Sequence, residues 1–223
     1  MGDPWEGLLL VEEYWLLTTG AQPVTRPSQG TWLGITMAAL RDLERAGEIR
    51  WRESDHGPYL HAINDCRCPE MPPFLGGWHD RLQAADPTMG GVAARFALDP
   101  LLSIVWKDVA QHLARTGPAL EDARLLGAST YRVADVDAMR SRRRELLAFL
   151  DPETGGVQDL PSRELDLLVV ASASDSLSDL FRVPGLEPPG SVLDAIERAT
   201  RGSLVLRHLE AAAGHRYTPF PMA

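Results

Sequence analysis

Cysteine is almost absent from this chain of 223 residues, which contains only Cys66 and Cys68. One residue separates the two thiols, so a disulfide between them would close a strained ring. We therefore expect a reduced, cytoplasmic compartment. The C-x-C spacing also lacks the gap of two to four residues that is typical of zinc-binding cysteines. We expect no metal site, although His56, His61 and His79 lie nearby in the sequence.

Long apolar runs are lacking as well. The longest, over residues 165–173, is interrupted by Asp166 and is far shorter than the ~20 residues that span a bilayer. The chain begins MGDPWEG, without the basic segment that opens a secretory signal peptide. We expect a cytoplasmic protein that associates with the inner face of the membrane at most peripherally.

Motifs that bind nucleotides or carry a catalytic nucleophile are also absent. The sequence contains no G-x-S-x-G, no P-loop and no G-x-G-x-x-G. Glu12 and Glu13 form a carboxylate pair, but neighbouring positions on a helix point about 100° apart. The two carboxylates therefore do not converge on one substrate atom. We expect a protein without enzymatic activity and without a cofactor.

Positive charge is in the minority. There are 22 lysines and arginines against 31 aspartates and glutamates, which gives a net charge of −9, and Lys107 is the sole lysine. A negative total opposes non-specific attraction to nucleic acid and to anionic membranes. Only a local concentration of arginines could bind either. The preference for arginine, with abundant Ala, Gly and Pro, is typical of a bacterial source with GC-rich coding.

What the sequence does contain is helical periodicity. Leu33, Met37, Leu40 and Leu43 recur at three- and four-residue spacing, which predicts a helix over 31–46. Gly47 then suits a helix C-terminus, because it adopts a positive φ at low cost. An earlier apolar helix is expected through Leu17. Further helices are predicted over 78–85, 99–115, 136–150, 162–181 and 191–200.

Two short segments favour β-hairpins. One is expected over 48–63, and the other over 120–133 with its bend near Gly127. The predicted fold class is therefore mainly α, with a helical bundle core and one or two small β-hairpins. A single domain is expected over 1–214, followed by a flexible tail over 215–223.

The helix and hairpin over 31–63 also follow the order of a winged-helix DNA-binding domain. The helix that would enter the groove carries Arg41, Asp42, Glu44 and Arg45, which nearly balance in charge. A recognition helix normally carries net positive charge and amides. A winged-helix regulator is therefore the alternative function, and nucleic acid is not the expected partner.

Arginines concentrate in the helix predicted over 136–150, at Arg140, Arg142, Arg143 and Arg144. Clustered arginines can hold phosphate bidentately, and tryptophan favours the boundary of the headgroup region. The alternative interpretation is the solvated face of a helix. As an anion site, the cluster would combine with further basic and aromatic residues, namely Lys107, Arg115, Trp32 and Trp106.

Five segments, taken in order, resemble the Golgi phosphoprotein 3 family. They are LLLVEEYWLL from Leu8, GITMAAL from Gly34, RAGEIRW from Arg45, LLSIVWKDVAQHLARTG from Leu101 and LVVASASDSLSDLF from Leu168. The basic helix around Arg140 stands where the family also has one. The resemblance covers most of the chain, which is identified as a bacterial member of the family.

The resemblance implies one helical domain of the family's type over 1–214. It also implies a protruding β-hairpin that mediates contacts between copies, and hence a homo-oligomer. In this chain the hairpin corresponds to 120–133. Its predicted contact residues are Leu120, Leu125, Leu126 and Tyr131.

Members of the family are peripheral adaptors and not enzymes, and the eukaryotic members bind phosphatidylinositol 4-phosphate on a flat basic face. The family's lipid-binding arginines correspond to Thr36, Lys107 and Ala110, of which Lys107 alone is basic. The resemblance therefore implies an anionic phospholipid headgroup as ligand, with a protein partner as an equal alternative. The predicted headgroup-binding residues are Lys107, Arg140, Arg143, Arg144, Trp32 and Trp106.

Overall fold

The fold is mainly helical, as the sequence predicted. A computed structural model describes residues 5–54, 57–62, 71–84, 103–122, 129–150, 162–182, 189–203 and 207. In chain order the elements are α1 (Leu10–Thr19), α2 (Gln29–Arg45), β1 (Ile49–Ser54), β2 (Gly57–Ala62), α3 (Pro73–Ala84), α4 (Ser103–Thr116), β3 (Ala119–Asp122), β4 (Thr130–Val133), α5 (Val136–Ala148), α6 (Ser162–Ala173), α7 (Leu177–Phe181) and α8 (Gly190–Gly202). None of the helices in these ranges has both the length and the apolar character needed to cross a bilayer.

Helix α1 forms the centre of the structure. All ten of its residues are buried, including Glu12 and Glu13. It packs against α2, α4, α5, α6, α7 and β4. A helix that is apolar on most sides is stable in water only when other elements surround it. The predicted apolar helix is present, but its start was predicted too early, at the capping-box sequence Asp3-Pro4-Trp5-Glu6. Residues 5–7 form a turn, and the helix runs from Leu10 to Thr19, beyond the predicted end at Leu17.

A side chain of α2 holds the N-terminus of α1. The carboxylate of Asp42 accepts hydrogen bonds from the backbone N–H groups of Leu10 (3.0 Å) and Val11 (2.9 Å). The first N–H groups of a helix have no partner within it, and leaving them unpaired in the core would be costly. Glu12 accepts the N–H of Leu9 at 2.8 Å. The start of α1 is thus fixed to α2 by two charge-assisted bonds.

Helices α1 and α2 approach most closely at Gly34. A Cβ atom there would lie 2.0 Å from the phenolic oxygen of Tyr14 and 2.4 Å from its Cζ atom. The Tyr14 hydroxyl forms hydrogen bonds with Ser174 Oγ, at 3.1 Å, and with Ser176 Oγ. Burial raises the pKa of Tyr14 to about 12, so the hydroxyl stays protonated. Gly34 therefore leaves the space through which α1 reaches the end of α6.

The end of α2 confirms the prediction at Gly47. This glycine has a φ of +75°. The N–H groups of Gly47 and Glu48 donate to the carbonyl oxygens of Glu44 (3.0 Å) and Leu43 (2.9 Å). The two bonds form a Schellman motif, which ends the helix and satisfies its last carbonyls. The chain then enters β1, which pairs with β2 as an antiparallel hairpin.

The second predicted hairpin is formed by β3 and β4, which pair antiparallel over four residues each. On its other side β4 pairs with Val24 through Tyr131, with N–O distances of 2.9 and 3.0 Å. Val24 belongs to the loop between α1 and α2, so this loop is fixed to the hairpin. The predicted tail, 215–223, lies outside the described residues.

One predicted helix is wrong, because 162–181 is broken into α6 and α7. Asp175 has a φ of +55°. The N–H groups of Asp175 and Ser176 donate to the carbonyl oxygens of Ser172 (3.2 Å) and Ala171 (2.9 Å). This is again a Schellman motif, with aspartate in the position that glycine usually takes. The segment SASDS contains neither glycine nor proline, so the sequence offered no breaker to recognise.

The start of α3 is a second correction. The sequence predicted a helix over 78–85, whereas α3 begins five residues earlier, at Pro73, and ends at Ala84. Proline is favoured at the first helical position, since its missing N–H would be unpaired there anyway. Pro72 therefore precedes the helix, and Pro73, Gly76 and Gly77 lie within its first turns. Composition alone did not show this placement.

We predict that Gly34→Ala destabilises the protein through overpacking. The added methyl group would overlap the buried ring of Tyr14, which cannot move without breaking its hydrogen bonds to Ser174 and Ser176 in the turn after α6. We expect a loss of about 1–3 kcal/mol in the free energy of unfolding, measured by urea denaturation. Gly77→Ala is the matched control, because nothing lies within 4 Å of a Cβ at that helical position. It should gain about 0.5–1 kcal/mol, and equal effects of the two substitutions would contradict the close approach.

A second prediction concerns pH. Burial raises the pKa of Asp42 to about 6, against an ordinary value of 3.8, although the N–H groups of Val11 and Leu10 lower it. The folded state thus binds this proton more tightly than the unfolded chain. The free energy of unfolding should therefore decrease as pH rises from about 4 to about 6. The contribution of this one group should be roughly 3 kcal/mol.

Urea denaturation of the wild type and of Asp42→Asn, at a series of pH values from about 4 to about 7, measures this contribution. The difference between the two proteins isolates Asp42 from the other groups that titrate in this range. Asparagine has the same shape and does not ionise, so the slope assigned to Asp42 should vanish in the variant. Parallel curves for the two proteins would show that Asp42 does not titrate there.

Candidate anion-binding site

Arg142, in the middle of the basic cluster, turns inward. Its guanidinium donates to Glu13 Oε1 (2.7 Å) and Glu164 Oε1 (2.6 Å), and Arg163 donates to the other oxygen of Glu13. The side chain of Glu13 is 0% exposed and that of Arg142 is 12% exposed. Burial lowers the pKa of Arg142, but Glu13 and Glu164 together outweigh it, and the pKa is raised. Arg142 therefore neutralises carboxylates in the interior.

Arg143, the next residue, reaches the C-terminus of α1. Its Nε and Nη2 atoms donate to the carbonyl oxygen of Leu17, with a distance of 3.1 Å from Nε. Arg182, which follows α7, donates from Nη2 to the carbonyl oxygens of Thr18 (3.2 Å) and Thr19 (2.6 Å). The last carbonyls of a helix lack partners within it and carry partial negative charge. Two arginines from separate elements therefore converge on one helix end.

Two positive charges lie side by side at this end of α1. Burial, and then repulsion from Arg182, lower the pKa of Arg143 to about 10, so Arg143 still carries its charge at pH 7. Among the described residues, neither Arg143 nor Arg182 forms an ion pair with a carboxylate. The helix end supplies only a partial negative charge, about half a unit. A net positive charge remains there, which an anion can neutralise.

Arg140 and Arg144 extend this positive region. Residues three and four apart are neighbours on the surface of a helix, so Arg140 lies beside both Arg143 and Arg144 on α5. The Arg140 side chain is 63% exposed and pairs at 3.3 Å with Asp137, which is itself 94% exposed. Arg144 is exposed. We call Arg140, Arg143, Arg144 and Arg182 the α5 basic surface.

Lys107 does not join the α5 basic surface. It is exposed on α4, and α4 meets α1 through His112 and Glu12, whose side chains lie 3.0 Å apart. Helix α5 meets α1 through Arg142 and Glu13. Since neighbouring positions on α1 point about 100° apart, α4 and α5 lie on different sides of it. The sequence predicted one basic surface from these residues, but the structure separates Lys107 from the arginines.

Trp106 is buried, which corrects its predicted place at a headgroup boundary. It is 3% exposed, and its ring centroid lies 5.7 Å from that of Trp15 and 5.7 Å from that of Tyr131. A ring enclosed in this way packs the core and does not meet a membrane. Trp32 is half-buried near the start of α2 and also packs against the core. Its contact with a headgroup stays a prediction.

The positions that correspond to the family's other arginines face the interior. Thr36 is 2% exposed and Ala110 is 0% exposed. The Thr36 hydroxyl donates to the carbonyl oxygen of Trp32 at 3.2 Å, within its own helix. These positions add neither charge nor accessible surface, so they do not form an anion site on this chain.

The predicted contact residues of the second hairpin differ in their exposure. Leu120 is 40% exposed and borders a groove of about 420 Å³, lined by Gln111, Ala114, Arg115, Ala119, Leu120 and Glu121. Tyr131 is 1% exposed, which corrects its predicted role in contacts between copies. Leu125 and Leu126 lie outside the described residues. Contact between copies through this hairpin stays a prediction.

Metal-ligating side chains do not cluster in the described part of the chain, where no group of three or more could hold an ion. His79 is buried there, with its Nε2 atom 3.5 Å from an oxygen of Glu48. Cys66, Cys68 and His56 lie outside the described residues.

Sequence reasoning missed Arg182. It is a single arginine after Phe181, without basic neighbours in the sequence, so neither composition nor periodicity marks it. It ends α7 in a left-handed conformation, with a φ of +55°. Only the packing of α7 against α1 brings its side chain to Arg143.

The chain matches none of the protein-family models and none of the curated proteins with which it was compared. Membership of the Golgi phosphoprotein 3 family therefore stays a hypothesis that rests on the segments from Leu8 to Phe181. The geometry of the described residues carries the functional proposal.

We predict that replacing one arginine of α5 lowers the free energy of unfolding strongly, whereas replacing another hardly changes it. Arg142→Ala leaves the carboxylate of Glu13, which is fully buried, with one partner fewer and removes a partner of Glu164. Breaking a buried ion pair in this way costs about 3–5 kcal/mol. Arg144→Ala removes an exposed side chain and should change the free energy of unfolding by less than about 0.5 kcal/mol. Urea denaturation measures both, and similar losses would show that Arg142 is not an interior partner.

Proposed function

We propose that this protein is a non-enzymatic adaptor that binds anionic phospholipid headgroups peripherally, through the α5 basic surface. One observation carries the proposal: Arg143 and Arg182 converge on the C-terminus of α1 without a carboxylate partner among the described residues. Guanidinium groups bind phosphate oxygens with strong, charge-assisted hydrogen bonds. Arg140, which lies beside Arg143 on α5, and Arg144, which lies beside Arg140, add exposed positive charge.

The net charge of the chain determines how reversible and how sensitive to salt such binding is. At −9, the surface as a whole is repelled by an anionic membrane, and only the α5 basic surface is attracted. Salt screens charges over about 10 Å at 0.1 M, so the local charges dominate close to the membrane. Each basic residue near the surface contributes about 1 kcal/mol. Binding should therefore be reversible and sensitive to salt.

The adaptor role is supported by the resemblance to Golgi phosphoprotein 3, whose members hold other proteins at a membrane without catalysing a reaction. Phosphatidylinositol 4-phosphate is the headgroup that this resemblance suggests. Thr36 and Ala110 stand where the family has two of its lipid-binding arginines. Both are buried and uncharged, so this chain lacks those two contacts to the headgroup. We therefore propose anionic headgroups in general, and a protein partner as the second ligand of the adaptor.

The alternative, a winged-helix regulator, receives little support from α2. Every residue from Gly34 to Leu40 is buried, whereas a recognition helix needs an exposed face to enter the major groove. Arg41 and Arg45, at the end of α2, both pair with Asp166, at 2.8 and 2.7 Å. The helix that the sequence suggested for DNA is a core helix.

We predict that the protein co-sediments with phosphatidylcholine vesicles containing phosphatidylglycerol at low salt, and is released at raised salt. Arg140→Gln with Arg144→Gln should weaken the binding on the order of 30-fold, since each arginine contributes about 1 kcal/mol near the surface. Both side chains are exposed, so the fold should tolerate the changes.

Arg198→Gln with Arg201→Gln is the matched control, because it removes the same charge from exposed positions on α8. It should leave co-sedimentation within about twofold of the wild type. Equal losses in the two double variants would show that net charge, and not the α5 basic surface, controls binding. A wild type that stays in the supernatant with every anionic vesicle at low salt would refute lipid binding and favour the protein partner.

A further inference from the structure

We propose that Arg143 and Arg182 form a binding site for a single dianionic phosphate group. The inference deepens the proposed function and rests on it only for the source of the phosphate, a lipid headgroup rather than a free phosphate compound. The site lies at the C-terminus of α1, where both guanidinium groups are already held in place by backbone carbonyls.

The geometry fixes the two groups close together. Arg143 binds the carbonyl oxygen of Leu17, and Arg182 binds those of Thr18 and Thr19. Successive carbonyls at the end of a helix point in the same axial direction, only a few ångströms apart. The forks of the two arginines therefore occupy neighbouring positions around one helix end. Such fixed donors lose little conformational entropy when a ligand binds.

Gly20 contributes to the placement of Arg182. A Cβ atom at Gly20 would lie 3.0 Å from Nη2 of Arg182. Gly20 has a φ of +78°, a conformation that favours glycine over other residues. The backbone can thus turn away from the end of α1 while the guanidinium lies directly against it.

Donors remain available for a ligand. A guanidinium group has five N–H donors. Within the part of the chain that the structure describes, Arg143 uses Nε and Nη2 toward Leu17, which leaves Nη1, and Arg182 uses Nη2, which leaves Nε and Nη1. Arg143 is half-buried and Arg182 is exposed, so the free donors border solvent. An anion can reach them without displacing the carbonyls.

The chemistry of the site favours phosphate over a carboxylate or chloride. Among the described residues, only the partial charge of a helix end opposes these two full positive charges, so the best neutralising partner carries two negative charges. A phosphate monoester carries about −1.5 to −2 at pH 7 and offers three acceptor oxygens. It can bond to both forks at once, whereas a carboxylate has two oxygens and one charge. Burial, and then repulsion from the guanidinium of Arg182, lower the pKa of Arg143. A dianion bound between the two guanidinium groups would offset their repulsion.

The first experiment uses inorganic phosphate and the unaltered full chain, so no variant has to fold. Phenylglyoxal modifies accessible arginines, and mass spectrometry reports the rate at each position. We expect phosphate to slow modification of Arg143 and Arg182 in a saturable way, relative to chloride at matched ionic strength. Arg115 and Arg198 should be unaffected, because both are exposed and lie outside the α5 basic surface. Absence of saturable protection at Arg143 and Arg182 would overturn the proposal.

The second experiment tests whether phosphate binding needs a planar guanidinium group, which can donate two hydrogen bonds to one phosphate. Arg182→Lys keeps the charge but replaces the planar fork with a single ammonium group, so phosphate affinity, measured by ³¹P line broadening, should fall on the order of tenfold. Arg115→Lys is the control, since Arg115 also donates to a backbone carbonyl, that of Gln111 at 3.2 Å, and should leave affinity unchanged. Arg143→Lys repeats the test if Arg182→Lys does not fold. Unchanged affinity in a folded fork variant would contradict the site.

The third experiment identifies the source of the phosphate. Vesicles containing phosphatidic acid, a monoester, are compared with vesicles containing phosphatidylglycerol, a diester, at equal surface charge. We expect the wild type to prefer phosphatidic acid and Arg182→Lys to lose the preference while still binding both. Protection by inorganic phosphate without any vesicle binding would keep the site and refute the lipid function. Vesicle binding without protection by phosphate would refute the site and keep the lipid function.

Discussion

The buried backbone of α1 is the constraint on which the rest of this structure depends. With all ten residues buried, the helix cannot leave its terminal N–H and C=O groups to water, so other side chains must satisfy them. Asp42 does so at the N-terminus, and Arg143 and Arg182 do so at the C-terminus. Charged side chains of α2, α5 and the end of α7 are therefore held at the two ends of one helix, and these contacts fix those elements around it.

Capping a central helix with charge has a consequence for function. Where the partner is a carboxylate, as Glu13 is for Arg142, the charges cancel and the pair is purely structural. Where the partners are carbonyls, the neutralisation is only partial, because a helix end carries about half a unit of charge. Arg143 and Arg182 thus satisfy the backbone and keep positive charge near solvent. The same side chains can serve the fold and an anionic ligand, which explains how a chain of net charge −9 could still approach an anionic surface.

Much of the fold could be predicted because local patterns in the sequence specify it. The stripe from Leu33 to Leu43 and the glycine at 47 predict α2 and its end. Short segments that favour strands predict both hairpins. The break at Asp175 could not be predicted, because aspartate takes a left-handed conformation only where surrounding hydrogen bonds hold it there. The burial of Trp106 was equally hidden, since an aromatic residue beside Lys107 fits a membrane boundary and a core equally well in sequence.

The sequence by itself determined the class of fold, the positions of most helices and hairpins, and the location of the arginine cluster. Those properties depend on periodicity and composition, which are local. The tertiary structure alone decided which of these arginines meet a carboxylate and which meet backbone carbonyls. Arg142 and Arg143 are neighbours in the chain, yet one meets carboxylates of α1 and α6 and the other meets carbonyls beside Arg182. Ion pairing depends on partners far apart in sequence, and only the packing of α5, α6 and α7 around α1 brings them together.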